Sequence, residues 1–154
     1  MTTAIDRPRS TKTSGASSST GAVQVRMAPS DPDGRWVTVC AVERLTPGRG
    51  VAALLPDGRQ VAIFLTRAGG LHAIDNRDPF AGAMVLSRGL VGATTDGIPF
   101  VASPLLKQRF ALTDGRCLDE PDNPGRAVAV LPCRVLPASG TEPIGRSAAG
   151  ARVG

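Results

Sequence analysis

The sequence predicts an all-β fold, an antiparallel β-sandwich or small barrel flanked by disordered tails. Three observations carry this. The 154 residues hold thirteen prolines and eighteen glycines against four phenylalanines, one tryptophan and no tyrosine, a composition of short strands and tight turns. No segment sustains apolar residues at a helical period, so helix content is expected to be low. Pro56-Asp57-Gly58-Arg59 and Thr113-Asp114-Gly115-Arg116 each separate apolar runs, and Asp-Gly supplies the backbone freedom of a tight reversal. The length suits one domain with a real core.

Residues 1–34 are rich in Ser, Thr, Gly and Pro and poor in large apolar groups. Such a segment buries too little surface to offset its ordering entropy, so a disordered extension is expected there, and another over 138–154. The folded domain is expected over 35–137. Residues 35–42 (RWVTVCAV) alternate as a strand, with Trp36 as a candidate core anchor. After a turn at Thr46-Pro47-Gly48, apolar runs at 51–55 and 60–66 form a hairpin around Asp57-Gly58. Ala68-Gly69-Gly70 turns the chain into a further strand at 71–74, completing an antiparallel meander. Beyond a loop, 84–86 is a short apolar piece. Strands are expected at 98–102 and 109–112, on either side of a second loop. Residues 127–131 and 133–136 read as a final strand broken at Pro132, since proline suits an edge or a kink.

Composition excludes several functions. No apolar run is long enough to cross a bilayer. Residues 1–30 lack the basic start and apolar block of a secretory signal, so a cytoplasmic protein is expected. Net charge is +5 and sixteen of eighteen cations are arginine. These arginines are scattered, and the aromatic platforms that stack on bases are almost absent, which argues against nucleic acid. A basic surface meeting an acidic protein partner is the better expectation. Cys40, Cys117 and Cys133 show no paired spacing and are expected as reduced thiols. His72, the single histidine, ends a strand-like run and is not expected to activate a thiol.

Two loops carry the most specific information. The first reads NRDPFAGAMVLSRG over 76–89, and the second, with the residues around it, ASPLLKQRFAL over 102–112. Their spacing resembles the cluster-binding loops of a Rieske-type domain, with C-x-H in one and C-x-x-H in the other. In that family a proline commonly follows each cysteine, and a glycine the second histidine. Asp78 and Phe80 stand at the first pair of ligand positions, Ser103 and Leu106 at the second, and Lys107 at the glycine. The surrounding Asn76, Pro79, Gly82, Leu86, Gly89, Pro104, Phe110 and Gly115 follow the family pattern. Rieske ligation takes two cysteines and two histidines. Phe80 and Leu106 offer no lone pair, serine is a poor substitute for thiolate, and one histidine does not make a two-histidine site. Phe80 and Leu106 are expected to fill the vacated space, burying surface worth about 1.5–3 kcal/mol each.

A Rieske-like domain with all four ligands replaced resembles the small subunit of assimilatory NAD(P)H-dependent nitrite reductase, over roughly Trp36 to Leu136. The resemblance implies a non-catalytic subunit with no metal, cofactor-binding or catalytic residues of its own. It implies a large-subunit partner carrying FAD, sirohaem and a 4Fe-4S cluster that reduce nitrite to ammonium in nitrate assimilation. The candidate partner-binding residues are Arg77, Asp78, Phe80, Arg88, Leu105, Lys107 and Arg109. The alternatives are a free-standing cluster-free adaptor and, further off, a ferredoxin-like oxygenase component.

Overall fold

A computed structural model describes residues 21–28 and 33–137. Its strands, in chain order, are β1 (Gly21–Arg26), β2 (Trp36–Ala41), β3 (Arg49–Leu54), β4 (Gln60–Leu65), β5 (Leu71–Asp75), β6 (Leu90–Ala93), β7 (Pro99–Ala102), β8 (Arg109–Ala111), β9 (Val130–Leu131) and β10 (Cys133–Pro137). Three short 3-10 turns, at Val42–Arg44, Leu86–Arg88 and Pro124–Arg126, are the helical pieces among the described residues. The strands form three antiparallel sheets, ordered β10-β1-β2, β3-β4-β5-β9 and β6-β7-β8.

The middle sheet is covered on both faces, which explains its sequence. Successive side chains of a strand point to opposite faces. Val61 and Ile63 of β4 join Val23, Val25, Leu71 and Leu131 in one core. Ala62 and Phe64, their neighbours along the strand, join Ile74, Leu86, Val101 and Phe110 in a second. A strand buried on both sides loses the polar–apolar alternation, so QVAIFL reads as one apolar run. Pro132 separates β9 from β10, as its ring predicts, and its carbonyl accepts a hydrogen bond from the Arg26 amide at 2.9 Å.

Three features correct the sequence reading. Gly21–Arg26, expected within a disordered extension over 1–34, is the middle strand of its sheet, and Val23 and Val25 are fully buried. GAVQVR alternates as a strand should, but follows a long Ser- and Thr-rich stretch whose composition masks it. The remainder of that expectation, and the one for 138–154, falls outside the described residues. Trp36 is half-buried and not a core anchor: the guanidiniums of Arg26 and Arg134 lie 5.7 and 4.0 Å from its ring centroid. An indole face attracts cations and leaves such a ring at the surface. Leu90–Ala93, which no turn chemistry announced, forms β6 against β7.

The topology sends both loops out of one end. Loop 1 (76–89) follows β5 and loop 2 (103–108) follows β7. Their roots touch at Gly89, where a Cβ would stand 2.3 Å from the Ala102 carbonyl oxygen and 2.6 Å from a Val101 methyl. Only glycine lets the two backbones approach that closely.

Candidate functional site

Loop 1 is built around two buried side chains. Asn76 donates through Nδ2 to Gln60 Oε1 at 3.0 Å, and its Oδ1 accepts from the Ser87 amide at 2.7 Å. One side chain thereby ties the start of the loop to β4 and to its far end. Asp78 is 0 % exposed. Its Oδ1 accepts from the amides of Phe80 and Ala81 at 2.8 and 3.2 Å, an Asx turn, while Oδ2 accepts from the Ser103 hydroxyl of loop 2. Its carbonyl accepts from Gly82 at 2.7 Å, and Gly82 closes the turn at φ +72°. Three donors converge on one buried carboxylate, which is what makes its burial tolerable.

Loop 2 is held by Ser103 in the same way but more weakly. The Ser103 amide donates to the Gln108 carbonyl at 2.8 Å, and its Oγ accepts from the Leu105 and Leu106 amides at 3.2 and 3.3 Å. Lys107 donates its amide to the Ser103 carbonyl at 3.1 Å and lies at φ +73°, the one positive-φ residue other than glycine among those described. A left-handed backbone costs an L-residue about 1–2 kcal/mol, and this is the position where the Rieske pattern carries glycine.

The structure thus joins Asp78 and Ser103, the positions where the resemblance expects cysteine, by a direct hydrogen bond, and gives Phe80 and Leu106, where it expects histidine, different surroundings. Phe80 is half-buried. Its ring meets Phe110 at a centroid distance of 6.2 Å and lies under the Arg126 guanidinium at 4.5 Å, while Arg126 Nη1 donates to the Pro79 carbonyl at 2.8 Å. Leu106 is exposed, against the expectation that it fills the vacated space. Asp78 and Ser103 are the buried residues of the four, and the turn about Ser103 leaves Leu105 and Leu106 at the surface.

The candidate cations separate in the same manner. Arg109 forks onto Asp119, with Nη2 and Nε at 2.6 and 3.1 Å from Oδ1, and its amide donates to Oδ2 at 2.7 Å. That hydrogen bonding holds the Asp119 carboxyl below the usual carboxylate range and raises Arg109. Arg77, Arg88 and Lys107 are exposed. Arg126 was missed in the sequence. It sits 47 residues from Pro79 in a stretch that reads as plain loop, and only tertiary contact reveals its part.

His72 lies at the opposite end, paired with Phe64 across β4 and β5. Burial pushes its pKa below the ordinary histidine value, against the opposing effect of a hydrogen bond to the Leu112 backbone. With Thr66, Arg67, Val91 and Pro99 it lines a cleft of about 550 Å³. None of the three cysteines forms a disulfide; Cys117 and Cys133 are buried, and burial raises the pKa of the Cys40 thiol.

Comparison with known proteins places this geometry. A family model described as a Rieske-like [2Fe-2S] domain matches residues 35–139. The NADH nitrite reductase small subunit of Salmonella typhimurium is 48 % identical over 87 residues, which are 56 % of this chain and 79 % of the relative. A crystal structure from Mycobacterium tuberculosis, described as an NADH-dependent nitrite reductase small subunit, superposes with a TM-score of 0.57 at 53 % identity, covering 62 % of this chain and 81 % of that one. A stretch of the Klebsiella oxytoca nitrite reductase [NAD(P)H] large subunit is 41 % identical over 100 residues, 64 % of this chain and 10 % of that one.

The family description implies a [2Fe-2S] cluster, and the residues here do not fit one. Asp78 and Ser103 are satisfied by each other and by loop amides, Phe80 and Leu106 carry no donor atom, and the single histidine is at the other end. The match over residues 35–139 and the identity to these relatives show that the chain belongs to the Rieske-like domain family, among the small subunits of NADH nitrite reductase.

Proposed function

We propose that this chain acts as the non-catalytic small subunit of an NAD(P)H-dependent nitrite reductase, docking through its loop end on a large subunit. That partner carries the flavin, sirohaem and 4Fe-4S cluster that take nitrite to ammonium in nitrate assimilation, and the assembly works in the cytoplasm. The observation that carries this reading is the Asp78–Ser103 hydrogen bond. It takes over the cross-linking of two loops that a cluster performs, so the scaffold keeps its shape without redox chemistry and is left with a binding surface. The similarity of this chain to part of a Klebsiella large subunit supports the pairing, since both kinds of sequence there share one polypeptide. Arg77, Arg88, Leu105 and Lys107 are the candidate contacts exposed at that end. Asp78 is buried beneath that surface, while Phe80 and Arg109 lie partly exposed within it, held by Arg126 and Asp119.

Co-expression of a tagged large subunit with this chain tests the reading. The two chains are expected to co-purify, and nitrite reduction or its thermal half-life is expected to fall when this chain is omitted. A large subunit that never retains this chain, and is equally active and stable alone, would sink it.

A further inference from the structure

Among the described residues, six large apolar side chains are exposed: Leu54 (70 %), Met84 (43 %), Leu90 (76 %), Leu105 (52 %), Leu106 (48 %) and Val135 (41 %). Singly, each is ordinary for a protein surface. Their placement is uneven. Leu105 and Leu106 form the apex of loop 2. Leu90 pairs with Ala102 at the root of that loop. Met84 bridges Arg77 within loop 1. Leu54 pairs with Gln60, whose side chain holds Asn76 at the base of loop 1. By register, five of the six therefore gather at the loop end, and only Val135 of β10 does not.

Charge does not distinguish that end to the same degree. Arg109 is committed to Asp119, and Arg126 to Phe80 and Pro79. Arg77, Arg88 and Lys107 remain exposed, but Glu120 and Asp122 are exposed in the segment that runs from Asp119 to Arg126. Nearly balanced charge gives little net attraction, whereas apolar side chains gathered at one end mark an interaction site.

We infer that the contact with the large subunit is apolar, centred on Leu105 and Leu106 and widened by Leu90 and Met84, which seat in an apolar groove of that subunit. Arg77, Arg88 and Lys107 form its polar rim. Lys107 holds the apex in place through its left-handed backbone, and its Nζ reaches the Pro104 carbonyl at 3.3 Å, within the same loop. The inference rests on the docking reading above and replaces the expectation of a contact driven by basic charge.

The test is the affinity of the purified full chain for the purified large subunit at about 0.05 M and about 0.5 M salt. Wild-type affinity is expected to change less than about threefold across that range, and the double substitution Leu105→Asp/Leu106→Asp to weaken it roughly 100-fold. Leu90→Asp, on a different element, is expected to weaken it about tenfold, and Arg77→Glu/Arg88→Glu less than about fivefold. An amide NMR spectrum of each variant checks that the fold is kept. If the double substitution misfolds, Leu90→Asp carries the test. Wild-type binding by the leucine variants, or a loss of affinity with salt matched by loss in Arg77→Glu/Arg88→Glu, overturns the inference and leaves the docking reading standing. A wild-type chain that binds at neither salt concentration overturns both.

Discussion

Loop 1 and loop 2 leave the same end of the molecule, yet they are built in opposite senses. Loop 1 turns inward. Its Asp78 is buried under three donors, its Phe80 packs on Phe110, and Arg126 closes over it from outside. Loop 2 turns outward, with two weak amide bonds to Ser103, one residue in a left-handed backbone, and two exposed leucines at its apex. The Asp78–Ser103 bond pins the two loops together, and on the docking proposal the leucine apex of loop 2 is the surface that meets the partner.

The largest effect is expected at Asp78. Asp78→Ala strands the Ser103 hydroxyl and two peptide amides in a buried site, and is expected to cost about 3 kcal/mol in urea unfolding. Asp78→Asn keeps the shape and part of the bonding, with an expected loss of about 1–2 kcal/mol. A loss below about 1 kcal/mol for the alanine variant would mean that the two loops do not depend on this bond. Next comes the contrast between Phe80 and Leu106. Phe80→Ala removes a half-buried ring stacked with an arginine and should cost about 2 kcal/mol, whereas Leu106→Ala should stay within about 0.5 kcal/mol. Equal losses would erase the inward–outward distinction.

Smaller effects sharpen it. Lys107→Gly relieves the left-handed backbone but adds freedom to the unfolded chain, for an expected net gain of about 0.5 kcal/mol. The far end supplies a control through His72, whose folded pKa is lowered by burial. The folded state then binds fewer protons than the unfolded one, so this contribution is present above the ordinary histidine pKa of 6.5 and is lost as pH falls below it. Stability is expected to decline from pH 7.5 toward pH 5.5 in the wild type, and more shallowly in His72→Gln, in urea titrations at each pH. Identical slopes in the two proteins would remove the buried imidazole as a cause.

What the sequence made legible follows the range of the forces involved. Hairpins anchored by Asp57-Gly58 and Asp114-Gly115 were readable, because turn chemistry is local and few residues tolerate those geometries. The loop scaffold was readable because Asn76, Gly82 and Gly89 each serve a local requirement fixed by the fold. β1 was missed because the composition around it outweighed six alternating residues. The opposite fates of Phe80 and Leu106 were not legible: both are apolar loop residues, and only Arg126 and Phe110, distant in sequence, cover one and not the other. Arginine count suggested a charged contact, while the pairing of Arg109 with Asp119 is a matter of three-dimensional placement.

Hydrogen exchange of this chain, alone and bound to the large subunit, distinguishes docking through the loop end from docking elsewhere. Slowed exchange is expected in the complex at the amides of 84–90 and 103–108, with the His72 cleft around 66–72 unchanged. Protection confined to that cleft, with both loops exchanging as in the free chain, would contradict it.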